Sequence, residues 1–159
     1  MSVRDEIKTL RGYNQFAIQK NLDGVSQSDS LHQPTPGGNC LNWVLGHIVL
    51  HRNPMLKLLG EEPVWTEEEA EPYARGSEPL VHASKAHTVD KLLADAEASH
   101  ARLDAALDRA TDDVLARPVA EGKDTSVGTS LIGLQFHEAY HAGQLGILRR
   151  LAGHDAALK

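Results

Sequence analysis

Four stretches of the chain carry apolar residues at the spacing of a helix rather than of a strand. Residues 3–21 place Val3, Ile7, Leu10, Tyr13 and Ala17 on one stripe. Residues 40–59 are apolar on most sides, with Leu41, Trp43, Val44, Leu45, Ile48, Val49, Leu50, Met55, Leu56, Leu58 and Leu59. A helix with no polar face belongs at the centre of its fold. Residues 89–110 carry a seam of Val89, Leu92, Ala96, His100, Leu103, Leu107 and Ala110, recurring about every 3.5 residues as in left-handed helix packing. Residues 129–152 place Leu134, His137, His141, Leu145, Leu148 and Ala152 on one stripe. Thr88 is a suitable N-cap for the third segment and Gly153 a suitable stop for the fourth. No segment alternates as a strand does. The expectation is an all-α four-helix bundle forming a single domain over residues 1–159.

The connections are rich in Pro and Gly. Asp23–Asn39 holds Pro34, Pro36, Gly37 and Gly38; Gly60–His87 holds Pro63, Pro72, Gly76 and Pro79; Thr111–Gly128 holds Pro118. The middle one is long for a compact domain, and such loops are usually functional or disordered. Its acidic run Glu67–Glu69 reads as a solvated face or a short helical turn. Pro54 lies inside the second segment and is expected to kink it near Arg52 or Asn53.

Composition narrows the function. With 159 residues, 41% hydrophobic and 24% charged, the chain can build an ordinary globular core. Its formal charge of −6 disfavours nucleic acid, which needs clustered cations. No stretch reaches the ~20 apolar residues of a membrane span, and MSVRDEIKTL has no apolar run behind its charges, so no secretory signal is expected. A single cysteine, Cys40, excludes an internal disulfide and fits a cytoplasmic protein.

Nine histidines against 4% aromatic residues direct attention to metal chemistry. His47 with His51, and His137 with His141, are i, i+4 pairs, so each pair puts two imidazoles on one helix face. The second pair lies on the stripe expected to face the core, where two imidazoles are costly unless their nitrogens are satisfied, as an ion would satisfy them. One or both of His47 and His51 could complete such a site. Three histidines would leave coordination positions open, as catalytic sites do. Cys40 reads as a small buried thiol rather than a ligand. His100 reads as a satisfied core histidine or a group beside the metal. His32, His82, His87 and His154 are expected in solvent.

His137–His141 also matches H-E-x-x-H, in which Glu138 would be the general base of a zinc protease. The context opposes that reading. Few residues follow His141 to supply a third ligand, Gln144 stands where the extended motif needs Gly, and no strand is available to hold a peptide.

LNWVLGHIVLHR at 41–52, with HEAYHAGQLGILRR at 137–150, resembles the DinB/YfiT-like superfamily. The resemblance implies a four-helix bundle of unusual connectivity, often dimeric, with a divalent ion on three histidines. By position those are His47, His137 and His141. His51 becomes an extra residue near the site, joined by Gln144 and Glu138, and Gly143 is assigned to close packing. The family's known activities include S-transfer and isomerisation with low-molecular-weight thiols such as mycothiol or bacillithiol. The expectation is therefore a metal-dependent transferase or hydrolase acting on a small-molecule substrate, with Zn, Ni or Fe bound and a low-molecular-weight thiol as an optional second cofactor, in a homodimer built on bundle faces. Glu138 or His51 would serve as proton acceptor if turned inward. The other readings are a non-catalytic bundle stapled by its ion and, less favoured, the protease.

Overall fold

The computed structural model describes residues 2–158. Seven α-helices are present among the described residues: α1 (Val3–Leu22), α2 (Gln27–Ser30), α3 (Leu41–Leu58), α4 (Glu67–Ala70), α5 (Val89–Arg109), α6 (Asp112–Ala116) and α7 (Val127–Leu151). No strand is present among the described residues, only an isolated bridge between Pro118 and Ser126. Helices α1, α3, α5 and α7 are the four long ones, and they form the bundle expected.

Local chemistry sets the ends. Ser2 caps α1 by accepting from Asp5 N–H at 3.2 Å, while Asp5 accepts from Ser2 N–H at 3.1 Å, a reciprocal capping box. Thr88 caps α5, and Gly153, at φ +93°, follows the Ala152 cap of α7 in the left-handed region. The acidic run is the first turn of α4, capped by Thr66. Helix α3 continues through Pro54.

Around the bundle the order is α1, α7, α3, α5, each helix packed on its two neighbours. Two apolar clusters fill the interior. One gathers Ile18, Leu22, Leu45, Ile48, Leu92 and Leu145; the other gathers Ile7, Met55, Leu56, Leu103, Leu107 and Leu131. Each long helix contributes to both, which fixes its direction: α1 and α7 run one way, α3 and α5 the other. Neighbouring α3 and α5 are thus parallel, and the chain must return the whole length of the bundle between them. An 18-residue helix is about 27 Å long. That return explains the long 60–87 connection. It is built rather than loose: Trp65, Tyr73 and Leu80 are buried in it.

Between the two clusters lies a polar layer drawn from all four helices: Arg11 and Gln15, Arg52, Ser99, and Gln135 with Glu138, all buried. Arg52 is fully buried and donates to Glu138 of α7, Gln15 of α1, and Ser99 Oγ and the Ala96 carbonyl of α5. Arg11 donates to Asp104 Oδ1 at 3.0 Å and to the His100 carbonyl at 2.9 Å.

This layer overturns two expected stripes. On α1, Val3, Leu10 and Tyr13 are exposed, and the buried face is Ile7, Arg11, Asn14, Gln15, Ile18 and Leu22. On α7, the line facing the core is Leu131, Gln135, Glu138, Ala142 and Leu145, about one residue round from the histidine stripe. In both helices buried polar groups find hydrogen-bond partners within the bundle, Arg11 Nη1 excepted, so polarity does not mark the solvent face.

Candidate metal centre

The histidine pairs of α3 and α7 meet where those helices face each other. One ring nitrogen from each of His47, His137 and His141 lies within 4.8 Å of the other two. Ring centroids are 5.3 Å apart for His47–His137, 4.8 Å for His47–His141 and 4.5 Å for His137–His141. His137 Nε2 and His141 Nε2 are 3.2 Å apart. Ligand nitrogens sharing one ion at ~2.0–2.1 Å stand about 3 Å apart, so this spacing suits a shared ion.

Hydrogen bonds orient two of the rings. His47 Nδ1 donates to the Tyr73 carbonyl at 2.7 Å, and His141 Nδ1 donates to Gln144 Oε1 at 2.7 Å. Each bond puts the proton on Nδ1 and leaves the Nε2 lone pair free, as imidazole ligands require. His47 is 4% exposed and stacks on Trp43, centroids 4.4 Å apart and planes 15° from parallel. Burial, helped by neighbouring imidazoles, brings its pKa down to about 4 against the Tyr73 bond, which raises it. Burial likewise lowers His137 and His141. The three rings are neutral near pH 7 and ready to bind a cation. His137 Nδ1 is buried without a partner.

The three rings line a cleft of about 750 Å³, together with Trp43, Val44, Ser77 and Gln144. No fourth His, Cys, Asp or Glu joins the group among the described residues. The donor set is therefore all-imidazole and open on one side.

The other candidate residues divide. His51 packs on His47 and His137, with centroids at 4.4 and 4.1 Å, but its nitrogens stand outside the group. Its Nδ1 is buried and unpaired, and burial brings its pKa down to about 4. His100 is elsewhere, within 3.0 Å of Arg11 Nη2 and 3.5 Å of Asp104, so it is not beside the histidine group. Cys40 is buried with Sγ 3.8 Å from the Leu80 carbonyl, and burial raises its pKa. His32 and His82 are exposed, whereas His87 is half-buried with Nε2 3.1 Å from the Glu69 carbonyl, and His154 pairs with Asp29 at 3.1 Å. Gly143 is exposed, and a Cβ there would meet nothing within 4 Å. The glycine that permits close packing is Gly46: an added Cβ would lie 2.1 Å from Tyr73 Cδ1.

Glu138 settles the H-E-x-x-H motif. It is 1% exposed and bound by Arg52 through two bonds, at 3.0 and 2.9 Å. Burial alone would raise its pKa, but the charge and hydrogen bonds of Arg52, backed by Arg11 and His100, hold it below the ordinary glutamate value. A carboxylate so engaged does not serve as a general base. The Arg52–Glu138 pair itself was missed by the pattern of apolar positions. Two signals point to it: Arg52 sits in a helix with no polar face, and Glu138 is the sole acid of α7.

Comparison with known proteins agrees with this architecture. The sequence profile described as DinB superfamily matches residues 16–145. No curated protein matches the sequence. A solved structure, described as the conserved protein of locus from Enterococcus faecalis, superposes with a TM-score of 0.76 at 19% identity, covering 96% of this chain and 98% of that one. No helix among the described residues is long and apolar enough to cross a membrane.

Proposed function

The chain belongs to the DinB superfamily, and on that premise we propose that it is a metal-dependent enzyme for small molecules, of thiol S-transferase or hydrolase type, with a divalent ion on His47, His137 and His141. The observation that carries this reading is the convergence of three neutral imidazoles on the floor of an open cleft. A structural ion is normally enclosed by four protein ligands, and here no fourth His, Cys, Asp or Glu joins the three among the described residues. Bound there, the ion would lower the pKa of a thiol or water and polarise an electrophile.

The chain's own residues do the rest. The Tyr73 carbonyl and Gln144 hold His47 and His141 in the ligating tautomer. His51 backs the rings of His47 and His137. Imidazole suits Zn, Ni and Fe alike, so the native ion follows availability in the cell. A second reading, an ion that only staples the bundle, is favoured by one feature: the ligands come from two different helices, α3 and α7. The protein is further proposed to act as a homodimer.

Elemental analysis of protein purified without added metal tests the site. One ion per chain is expected, lost in His47→Ala, His137→Ala or His141→Ala and kept in His51→Ala. Full metal in His137→Ala overturns the assignment. For the thiol, cobalt-loaded protein should gain a sulfur-to-metal charge-transfer band on addition of cysteine. A spectrum that thiols leave unchanged removes the S-transferase branch and leaves hydrolysis.

A further inference from the structure

The cleft above the histidines is lined by no acidic side chain and by one permanent cation, Arg75, in a protein of net charge −6. Arg75 forms no ion pair or hydrogen bond among the described residues, although six ion pairs engage Lys and Arg side chains elsewhere. An exposed arginine without a partner is ordinary. What distinguishes this one is how its backbone is held.

Residues 73–77 form a strap across α3, pinned at both ends. At one end the Tyr73 carbonyl accepts from His47 Nδ1 at 2.7 Å. At the other, Ser77 Oγ accepts from Trp43 Nε1 at 2.9 Å and donates to the Pro72 carbonyl at 2.8 Å. Trp43 and His47 are one turn apart on α3 with their rings stacked, so both pins sit on one rigid ledge. Between them the chain makes a tight turn closed by Ser77 N–H to the Ala74 carbonyl at 3.0 Å. Gly76 takes φ +84° there, which other residues rarely adopt. Arg75 is the residue this turn carries at the lip of the cleft. Across from the strap, Ile147, Leu148 and Leu151 of α7 make an apolar wall.

We propose that Arg75 is a substrate-specificity residue that receives the anionic head of a small organic acid, a carboxylate or a phosphate monoester, whose apolar body lies along the α7 wall above the histidines. The volume is that of a small-molecule pocket, for which ~300–1,000 Å³ is usual. A guanidinium offers paired donors matched to either oxyanion. The proposal deepens the metal-centre reading and rests on it only for the chemistry at the floor of the cleft; the binding preference itself needs no ion.

Calorimetry with 4-phenylbutanoate, 4-phenylbutyl phosphate and the neutral 4-phenylbutanamide tests it, on wild type, Arg75→Gln and Arg75→Lys, each with metal loaded and after chelation. Metal content is measured on the same samples. In wild type at least one anion should bind about tenfold or more tightly than the amide, with and without metal, and the better anion identifies the head group. The preference should collapse in Arg75→Gln, return in part in Arg75→Lys, and leave metal content unchanged. Equal binding of acid and amide, no binding of any probe, or a preference that survives Arg75→Gln overturns the proposal. A preference surviving Arg75→Gln only in loaded protein would assign the anion to the ion, sinking the role of Arg75 while sparing the metal centre. Protein that takes up no metal at all and still shows the Arg75-dependent preference would sink the metal centre while sparing the role of Arg75.

Discussion

Arg52 holds Glu138 with two hydrogen bonds, of 3.0 and 2.9 Å, at the level where the bundle's two apolar clusters meet. The pair joins α3 to α7 one residue away from the histidines on each helix, since Arg52 follows His51 and Glu138 follows His137. Its remaining donors engage α1 and α5. The same two helices therefore carry an ion pair on the core side and a histidine group on the cleft side, and the first fixes the rotation that presents the second.

Breaking this pair from one side leaves an unpaired charge in a dry interior. Glu138→Ala is expected to lower unfolding stability by about 3–5 kcal/mol, read from urea denaturation. Glu138→Gln keeps the shape and should cost less. If Glu138→Gln folds and retains full metal, Glu138 is structural. Loss of metal in a stable Glu138→Gln protein would return it to the site.

The strap over α3 depends on a missing side chain. Gly46→Ala would drive a Cβ to 2.1 Å from Tyr73 Cδ1, and Tyr73 is fully buried with no room to retreat. Overpacking of this kind costs about 1–3 kcal/mol. A lower thermal midpoint is expected together with weaker metal retention, because the Tyr73 carbonyl also orients His47. Combining Gly46→Ala with Tyr73→Leu should recover part of the midpoint, and strict additivity of the two changes would show that they do not meet.

What the sequence made legible follows from how each element earns its burial. The α5 seam was readable because apolar residues make up most of it: Val89, Leu92, Ala96, Leu103 and Leu107 are buried, with Ser99 as the buried polar residue among them. The rotation of α1 and α7 was not, because Arg11, Gln15, Gln135 and Glu138 are buried on hydrogen-bond partners elsewhere in the bundle: Gln15 and Glu138 on Arg52, Gln135 on Asn14, and Arg11 on Asp104 and the His100 carbonyl. A pattern that scores polarity as exposure places such faces outward. His47, His137 and His141 could be chosen by spacing and resemblance, but the reason assigned to the α7 pair was off by one notch. His141 is buried and His137 half-buried, and both line a cleft at the edge of the core. Arg75 was invisible, since its position depends on two pins that link residues 26 and 34 apart in the chain.

The homodimer expected on bundle faces needs an apolar surface that the bundle itself does not bury. Helix α3, apolar on most sides, is consumed inside the bundle. Outside the cleft, the parallel neighbours α1 and α7 carry exposed aromatic residues: Tyr13 at 68% and Phe16 at 50% on α1, and Phe136 at 75% on α7. Exposed aromatic side chains on neighbouring helices are the kind of surface that association covers, and two-fold pairing is the commonest form it takes. Light scattering should report about twice the 17.3 kDa chain mass, and Tyr13→Glu with Phe136→Glu should return the single-chain mass without loss of helicity. A wild-type monomer at high micromolar concentration rules the dimer out.

Acid should unfold the protein through its buried imidazoles before it reaches its carboxylates. His47 and His51 have pKa values brought down to about 4 by burial, against an ordinary 6.5. Between those values the unfolded chain binds protons that the folded chain refuses, so unfolding takes up protons and falling pH favours it. The contribution is complete above about 6.5 and is lost progressively as pH drops towards 4. For His47, which is 4% exposed, it is on the order of 3 kcal/mol. Glu138, with its pKa lowered, adds a second loss at lower pH, below its ordinary 4.5. Bound metal deepens the first window, because the ion needs the same nitrogens unprotonated. Thermal midpoints from pH 7.5 to 4, with metal and after chelation, separate the two contributions. In chelated protein the midpoint should fall from about pH 6.5 downwards, and His51→Phe should flatten that fall by removing one of the two depressed groups. A midpoint that stays level until pH 4.5 in chelated protein would mean that these imidazoles are not held neutral in the fold, and the preformed ligand set would go with them.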